Sequence, residues 1–422
     1  MNVSILYGKD DIPLELPEHT RVIEPEDEPG LPDEMAAVRE SMQQPIGSKP
    51  LRDRVRAEDK VAIVISDITR PTPDHIMIPA IVAELPHVPH ENFVVINGTG
   101  THRDQTDEEF RVMVGDWAYE HLRIINHHCH EKDELALVGE SRFGCDVYLN
   151  KEYVEADFRI TTGFIEPHFF AGFSGGPKGN MPGIAGIETI LTFHNARMIG
   201  DPNATWGLME GNPVQEMSRE VNHLCPPHFL LNVTLNGKKE ITNVFSGDWE
   251  EAHAEGCTYT KEHAMAPCED RFDVVITSNS GYPLDQNLYQ AVKGMSAAQK
   301  IVKEGGDIIV AAECADGIPD HGNFAHIFSL ASSPQELLDM INNPEFSMFD
   351  QWQVQKQAVI QTWADVHVHS KLSAEQVEQA MLHYCGDIAE TLEQLRTKHG
   401  SGMRVAVLPQ GPLTIPYVTG EV

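Results

Sequence analysis

Cysteine is scarce in this chain and has no pairing pattern. The seven residues Cys129, Cys145, Cys225, Cys257, Cys268, Cys314 and Cys385 are scattered, and no two form a C-x-x-C pair. An odd, dispersed set excludes a disulfide framework or a zinc ribbon and predicts reduced packing residues. Long apolar runs are also missing: none reaches the ~18 residues of a membrane span. The opening Met1–Asp10 lacks a basic segment followed by an apolar one, so no export signal is read and the protein is expected in the cytoplasm. Positive charge is in short supply, with 31 basic against 64 acidic residues and a net charge of −33. A surface this acidic repels nucleic acid and anionic membranes, and any anionic ligand must be met by a local group of Arg and Lys. There is no fixed-period repeat and no low-complexity segment. What remains is 41% hydrophobic residues and 422 positions, an ordinary composition for a soluble enzyme and a length that suggests two domains.

The apolar pattern is that of α/β units. Val61–Ser66 is a continuous β-branched run, as in a strand buried on both faces of a parallel sheet. A helix is expected over His75–Glu84 and a second strand over Phe93–Asn97, with further strands at Ile124–Asn126 and Cys145–Leu149. A helix is expected over Ile184–His194, a hairpin over 228–245 around Asn236-Gly237, and a helix over Trp249–His263. The acidic, proline-bearing run Ile23–Glu34 reads as loop. Near Ala266–Asp270 the pattern restarts: strand Phe272–Thr277, a helix from Asn287 to Lys303 stopped by Gly305-Gly306-Asp307, strand Ile308–Ala312, helices Pro334–Ile341 and Ala374–Lys398, and a last strand Met403–Leu408. The expected fold is α/β in two domains, 1–268 and 269–422, each a mainly parallel sheet flanked by helices, with the active site in the cleft between them. The last residues are allowed to pack back on the N-terminal domain.

Chemistry-bearing residues recur just past strand ends, where open α/β sheets bind ligands. Asp67 and Arg70 follow Val61–Ser66; Arg70 suits a carboxylate or phosphate, and a turn cap with a surface ion pair is the plainer alternative. Gly98-Thr99-Gly100-Thr101-His102-Arg103 follows the next strand, with Arg103 where a dinucleotide fingerprint needs its third glycine. The run His127-His128-Cys129-His130 is read as structural or surface, because alternate side chains of a strand point to opposite faces and cannot share one ion. The densest stretch is Glu166–Gly183, with His168, Lys178 and five glycines; such a loop exposes backbone N–H groups to an anion. On the helix that follows Asn287, Tyr289 and Lys293 share a face, and Gln290 lies three residues before Lys293.

The combination Asp67-Ile68-Thr69-Arg70-Pro71, Gly100-Thr101-His102-Arg103, Glu166-Pro167-His168 with Gly172-Phe173-Ser174-Gly175-Gly176-x-Lys178, His194, and Tyr289-Gln290-x-x-Lys293-Gly294 resembles the nickel-dependent lactate racemase family. That family includes racemases and epimerases of other 2-hydroxy acids. The resemblance runs in order from about residue 60 to about residue 355. Pro177 and Gly179 depart from it, standing where polar or basic neighbours of the lysine are expected.

The resemblance implies an isomerase that inverts the α-carbon of a lactate-like 2-hydroxy acid by reversible hydride transfer through a 2-keto acid. It implies nickel held in a pyridinium-3,5-bisthiocarboxylic acid mononucleotide, attached covalently at Lys178, with His194 as a metal ligand. By the same resemblance His102 and His168 are the acid/base pair, and Arg70 and Lys293 bind the carboxylate, with Gln290 and Tyr289 in the pocket. Trp352 walls the substrate from water or is a core aromatic. Asp67, Thr69, Ser174, Gly175 and Gly176 line the cofactor, Asp67 reaching its ribose or Arg70, with the glycines making room around Lys178. Cofactor-building enzymes are the implied partners, together with the small substrate. Two rival readings are a zinc hydrolase using His102, His168 and His194, and a non-catalytic phosphate- or nucleotide-binding protein built on the Gly172–Gly183 loop.

Overall fold

The computed structural model describes residues 1–25, 28–319 and 322–420. The chain packs into two compact units with interleaved segments. A central unit comprises Asp27–His194 and Asn203–Glu262; a terminal unit comprises Met1–Glu26, Asn195–Pro202 and His263–Val422. Among the described residues no helix is long and apolar enough to cross a membrane. Of the acidic run read as loop, Glu26 and Asp27 lie outside the described residues, and the others up to Asp33 carry no regular element.

The central unit is built on a six-stranded sheet in the order Ile241–Gly247, Phe229–Leu235, Phe158–Phe164, Val61–Ser66, Phe93–Gly98, Arg123–Asn126. All neighbours are parallel except the edge pair Phe229–Leu235 and Ile241–Gly247. That edge pair is the hairpin expected around Asn236-Gly237. Ile63, Ile65, Val95, Ile160 and Leu231 are at most 1% exposed, packed with Met77 and Ile81 of the helix Asp74–Glu84. Burying each such side chain contributes about 1.5–3 kcal/mol, which is why continuous apolar runs become the sheet's interior strands.

The terminal unit carries a second six-stranded sheet, entirely parallel, in the order His383–Tyr384, Asp365–His369, Val302–Ala311, Phe272–Ser278, Val405–Leu408, Arg21–Val22. Two expectations are corrected here. The helix expected over Ala374–Lys398 is broken into Ala374–Gln379 and Ile388–His399, with the strand His383–Tyr384 between them. Met381 takes a φ of 59° and Asp387 caps the second helix, so the helical period is interrupted by a turn that composition alone does not announce. The helix expected to reach Lys303 ends at Gln299, and Gly305-Gly306 lie inside the strand Val302–Ala311.

Asp307, 1% exposed, ties the strand Val302–Ala311 to its neighbour Asp365–His369 and to the helix Ile388–His399. Its carboxylate accepts from His367 Nε2 at 2.9 Å, Lys398 Nζ at 2.9 Å and His399 Nε2 at 2.6 Å. Burial pushes its pKa up, but these three donors outweigh burial and hold it at about 2. A carboxylate whose folded pKa lies below its unfolded value contributes stability above the unfolded pKa, and that contribution fades as pH falls toward 2. The Asp307→Asn protein is therefore expected to lose about 1–2 kcal/mol at neutral pH and to show a flatter stability curve between pH 4 and pH 2. Parallel melting curves across that range check this, and identical slopes for the two proteins would contradict it.

Candidate active site

Numbered along the chain, the strands of the central sheet run 3-2-1-4-5-6, and the order reverses between Val61–Ser66 and Phe158–Phe164. Loops diverge beyond the carboxyl ends of strands at such a switch point and leave a crevice there. Three of the candidate stretches leave those ends: Asp67–Arg70, Thr99–His102 and Glu166–Lys178.

Asp67 is 5% exposed and uses both oxygens. Oδ1 accepts from the Thr69 hydroxyl at 2.6 Å, and Oδ2 meets Nδ1 of His102 at 2.6 Å. Burial works against its ionisation, yet the hydrogen bond from His102, the nearby charge of Arg70 and the Thr69 hydroxyl hold it below the usual carboxylate range. An ionised carboxylate only accepts, so Nδ1 of His102 carries a proton, and the tautomer compatible with this contact has its lone pair on Nε2. The His102 side chain is 52% exposed. Its turn is fixed by the N–H of Gly100 donating to Gly183 O at 2.9 Å and by the Thr99 hydroxyl donating to His127 O at 2.6 Å. His127 itself is buried, with Nε2 on Ala185 O, while His128 pairs with Asp104 and Glu134.

His168, 7% exposed, sits on a two-residue strand facing Gly172. Its Nδ1 accepts the N–H of Ala171 at 3.2 Å and, more weakly, that of Phe170 at 3.5 Å. Gly172 is the hinge of this turn, with φ at 76° and the space for a Cβ filled by Leu208 O at 2.2 Å. Asn212 braces it from behind, Nδ2 donating to Phe170 O and Leu208 O, both at 3.0 Å. Gly172→Ala is expected to destabilise the fold by at least about 2 kcal/mol, since the left-handed φ and the backbone clash add. A denaturant midpoint indistinguishable from the parent protein would refute this.

Phe170 is the common neighbour of the candidate groups. Its ring lies 4.4 Å from that of His168, 5.7 Å from that of His194 and 5.5 Å from Nζ of Lys178. Phe193 borders Lys178 from another side at 5.7 Å. His194 follows the helix Ile187–Phe193, which starts three residues later than expected because Gly186 caps it. Its Nδ1 lies 3.1 Å from Ile190 O, and a carbonyl only accepts, so the Nε2 of the neutral ring carries the lone pair. Burial first, and then the charge of Lys178, pull its pKa down to about 3, so the imidazole is neutral.

The glycines before Lys178 lie close against other parts of the protein. A Cβ on Gly175 would meet Asn232 Oδ1 at 2.6 Å, and one on Gly176 would meet the His253 ring at 2.4 Å. Asn232 Oδ1 also accepts the Gly176 N–H at 2.7 Å, and His253 Nε2 donates to Ser174 O at 3.0 Å. Ser174 itself closes the loop, its hydroxyl donating to Phe164 O and accepting from the Glu166 N–H, both at 2.9 Å. These positions make room for protein packed behind the loop. Downstream, Asn180 joins Thr161, Tyr153 and Asn222, and Asn222 donates to Pro177 O at 2.9 Å. Lys178 is thus carried on a segment whose backbone is anchored on both sides.

In the terminal unit, Asn287 caps the helix Leu288–Gln299, which carries Tyr289, Gln290 and Lys293. Gly294 allows this helix to approach Ser278 O, which a Cβ would meet at 2.6 Å. Trp352, on the helix Gln351–Trp363, donates from Nε1 to the Tyr289 hydroxyl at 3.0 Å, and Tyr289 packs edge-on to Phe324. Tyr289 and Trp352 are therefore one aromatic pair. Phe170, Asn212, Asn232 and His253 were not anticipated from sequence; the only available signal was the density of aromatics and glycines around Phe170.

Family models bear on this constellation. The model described as lactate racemase N-terminal domain matches residues 7–207, and that of the lactate racemase C-terminal domain matches 268–415. The chain belongs to the lactate racemase family. A lactate racemase of Thermoanaerobacterium thermosaccharolyticum is 34% identical over 418 residues, covering 97% of this chain and 98% of that one. A second, from Lactiplantibacillus plantarum, is 36% identical over 382 residues, 90% of each chain. The solved structure of the T. thermosaccharolyticum lactate racemase apoprotein superposes with a TM-score of 0.92 at 33% identity, covering 99% of this chain and all of the other. A Thermotoga maritima protein at 18% identity, TM-score 0.70 and 93% coverage of this chain (99% of its own) shares the fold. As a member of this family the chain is an isomerase, and its two-domain α/β architecture is the one expected from the sequence.

Proposed function

We propose that the protein racemises or epimerises a lactate-like 2-hydroxy acid by reversible hydride transfer through a 2-keto acid, using a nickel-pincer pyridinium mononucleotide attached at Lys178. The observation that carries this reading is the grouping around Phe170 of His168, His194 and Lys178, with His102 on the neighbouring strand-end loop. The donor set fits the group: a lysine amine for attachment beside a neutral imidazole whose lone pair lies on Nε2. Such an imidazole suits nickel as a nitrogen ligand. When bound, the cofactor supplies an acceptor and donor of hydride at the substrate's α-carbon.

The chain's own groups do the remaining work. Arg70 holds the substrate carboxylate in the central unit, where a guanidinium can fork onto both oxygens. Lys293, Gln290, Tyr289 and Trp352 are assigned to the substrate, and Thr69, Ser174, Gly175 and Gly176 to the cofactor's surroundings. Asp67 is assigned chiefly to His102, on the strength of the 2.6 Å contact. His102 and His168 serve the hydroxyl oxygen on the two faces of the substrate, taking and returning its proton. The zinc-hydrolase alternative has less support, since among the described residues no three His, Cys, Asp or Glu are grouped to hold a metal.

The test is expression with and without the cofactor-building enzymes, followed by nickel analysis, intact mass and chiral chromatography with lactate, malate, 2-hydroxyglutarate, phenyllactate and gluconate. Racemisation of at least one acid only by the nickel-bearing, mass-shifted protein is expected. Equal activity in the unloaded protein, or none on any acid by the loaded one, would defeat the proposal.

A further inference from the structure

The two histidines assigned to the substrate's hydroxyl are held in different ways. Nδ1 of His102 faces the carboxylate of Asp67, a group that can only accept. Nδ1 of His168 faces the backbone N–H groups of Ala171 and Phe170, which can only donate. Neither arrangement is incidental. Asp67 is buried, fixed through its other oxygen by Thr69 and near the charge of Arg70. The turn that aims the two N–H groups at His168 is set by Gly172, whose left-handed φ and contact with Leu208 O admit no side chain, and by Asn212 holding Phe170 O.

We infer that the pair enters the reaction in opposite tautomers: Asp67 holds His102 with its proton on Nδ1 and a basic Nε2, while the Phe170–Ala171 turn holds His168 with its proton on Nε2. His102 is thereby prepared to take the hydroxyl proton of one enantiomer. The O–H bond breaks, the new bond forms at Nε2, and the resulting imidazolium is stabilised by ionised Asp67. His168 instead offers an Nε2–H to the substrate oxygen. It can accept a proton at Nε2 only after its own proton has moved to Nδ1, which breaks the bonds from Ala171 and Phe170. The two proton-transfer half-reactions are therefore unequal in what they ask of the protein; each direction of racemisation passes through both, and the turn Phe169–Ala171 is the part that must yield in the one at His168. Asp67 is a positioning residue in this scheme, acting through His102.

This inference rests on the proposed function for its chemical meaning, but its test does not. Two-bond proton–nitrogen correlation spectra of protein labelled with ¹⁵N at histidine distinguish the tautomers directly. The two signals are assigned by their disappearance in His102→Gln and His168→Gln proteins, in both the unloaded and the cofactor-loaded forms. The expected result is an Nδ1–H pattern for His102 and an Nε2–H pattern for His168. Asp67→Asn, whose amide can donate to Nδ1, is expected to turn His102 to the Nε2–H form and leave His168 unchanged. The same variant should lower turnover by about 10²–10⁴-fold, with the attached mass unaltered. Both rings in one tautomer, His168 as Nδ1–H, or a His102 signal indifferent to Asp67→Asn would each overturn the inference. Expected tautomers in a loaded protein that racemises nothing would instead strike the proposed function and leave the assignment standing.

Discussion

The Lys178→Ala protein, made alongside the cofactor-building enzymes, is expected to emerge at its unmodified mass and with racemase activity lowered by ~10⁴-fold or more, most of what an enzyme typically supplies over the uncatalysed reaction. Lys178 is the side chain whose amine sits between Phe170 and Phe193 beside the neutral imidazole of His194. The loss should be chemical and not structural. The loop backbone is held by Ser174, Asn232, His253 and Asn222, none of which depends on the lysine side chain. Removing the amine from the two aromatic rings costs about 0.5–1 kcal/mol of cation–π attraction. Lys178→Arg sharpens the test, since it keeps the positive charge and loses the attachable amine. A mass increment persisting on either variant would move the attachment to another residue.

His102→Gln is expected to cut racemisation by about 10²–10⁴-fold while cofactor attachment and nickel content stay at the parent level. His102 is half exposed and its turn is made by backbone bonds from Gly100 and to Thr99, so the substitution leaves the fold intact. It removes the first of the groups that hold Asp67 ionised, leaving Thr69 and the charge of Arg70. Asp67's folded pKa should consequently rise from its lowered position. Since a depressed carboxylate contributes stability above its unfolded pKa and loses it as pH falls, the variant should be less stable at neutral pH, with the difference closing in acid. Parent-level turnover in the variant would end the assignment of His102 as proton carrier.

The interior strands were legible because burial on both faces demands uninterrupted apolar residues: Val61–Ser66, Phe93–Gly98 and Phe272–Ser278 fall where the runs predict. The hairpin around Asn236-Gly237 was legible from its turn residues. The Ala374–Lys398 segment was not, because its two short helices carry helical composition throughout and the strand His383–Tyr384 exists only by pairing with Asp365–His369. The candidate residues of the central unit were visible as a recurring position after strands. Their support was hidden: Asn212, Asn222, Asn232 and His253 are distant in sequence from the loop they hold and belong to no local pattern.

By itself the sequence determined the α/β class, the family and the residue types available for chemistry, because strand burial, turn residues and a specific ordered set of motifs are local properties of the chain. Only the tertiary structure decided what surrounds each of them. It placed Phe170 against His168, His194 and Lys178, gave Gly175 and Gly176 to Asn232 and His253, and set His102 on Asp67 and His168 on two backbone N–H groups. The physical reason is that an imidazole's protonation pattern is set by whether its neighbour can donate or accept. That neighbour is chosen by folding, across 35 positions for His102 and three for His168.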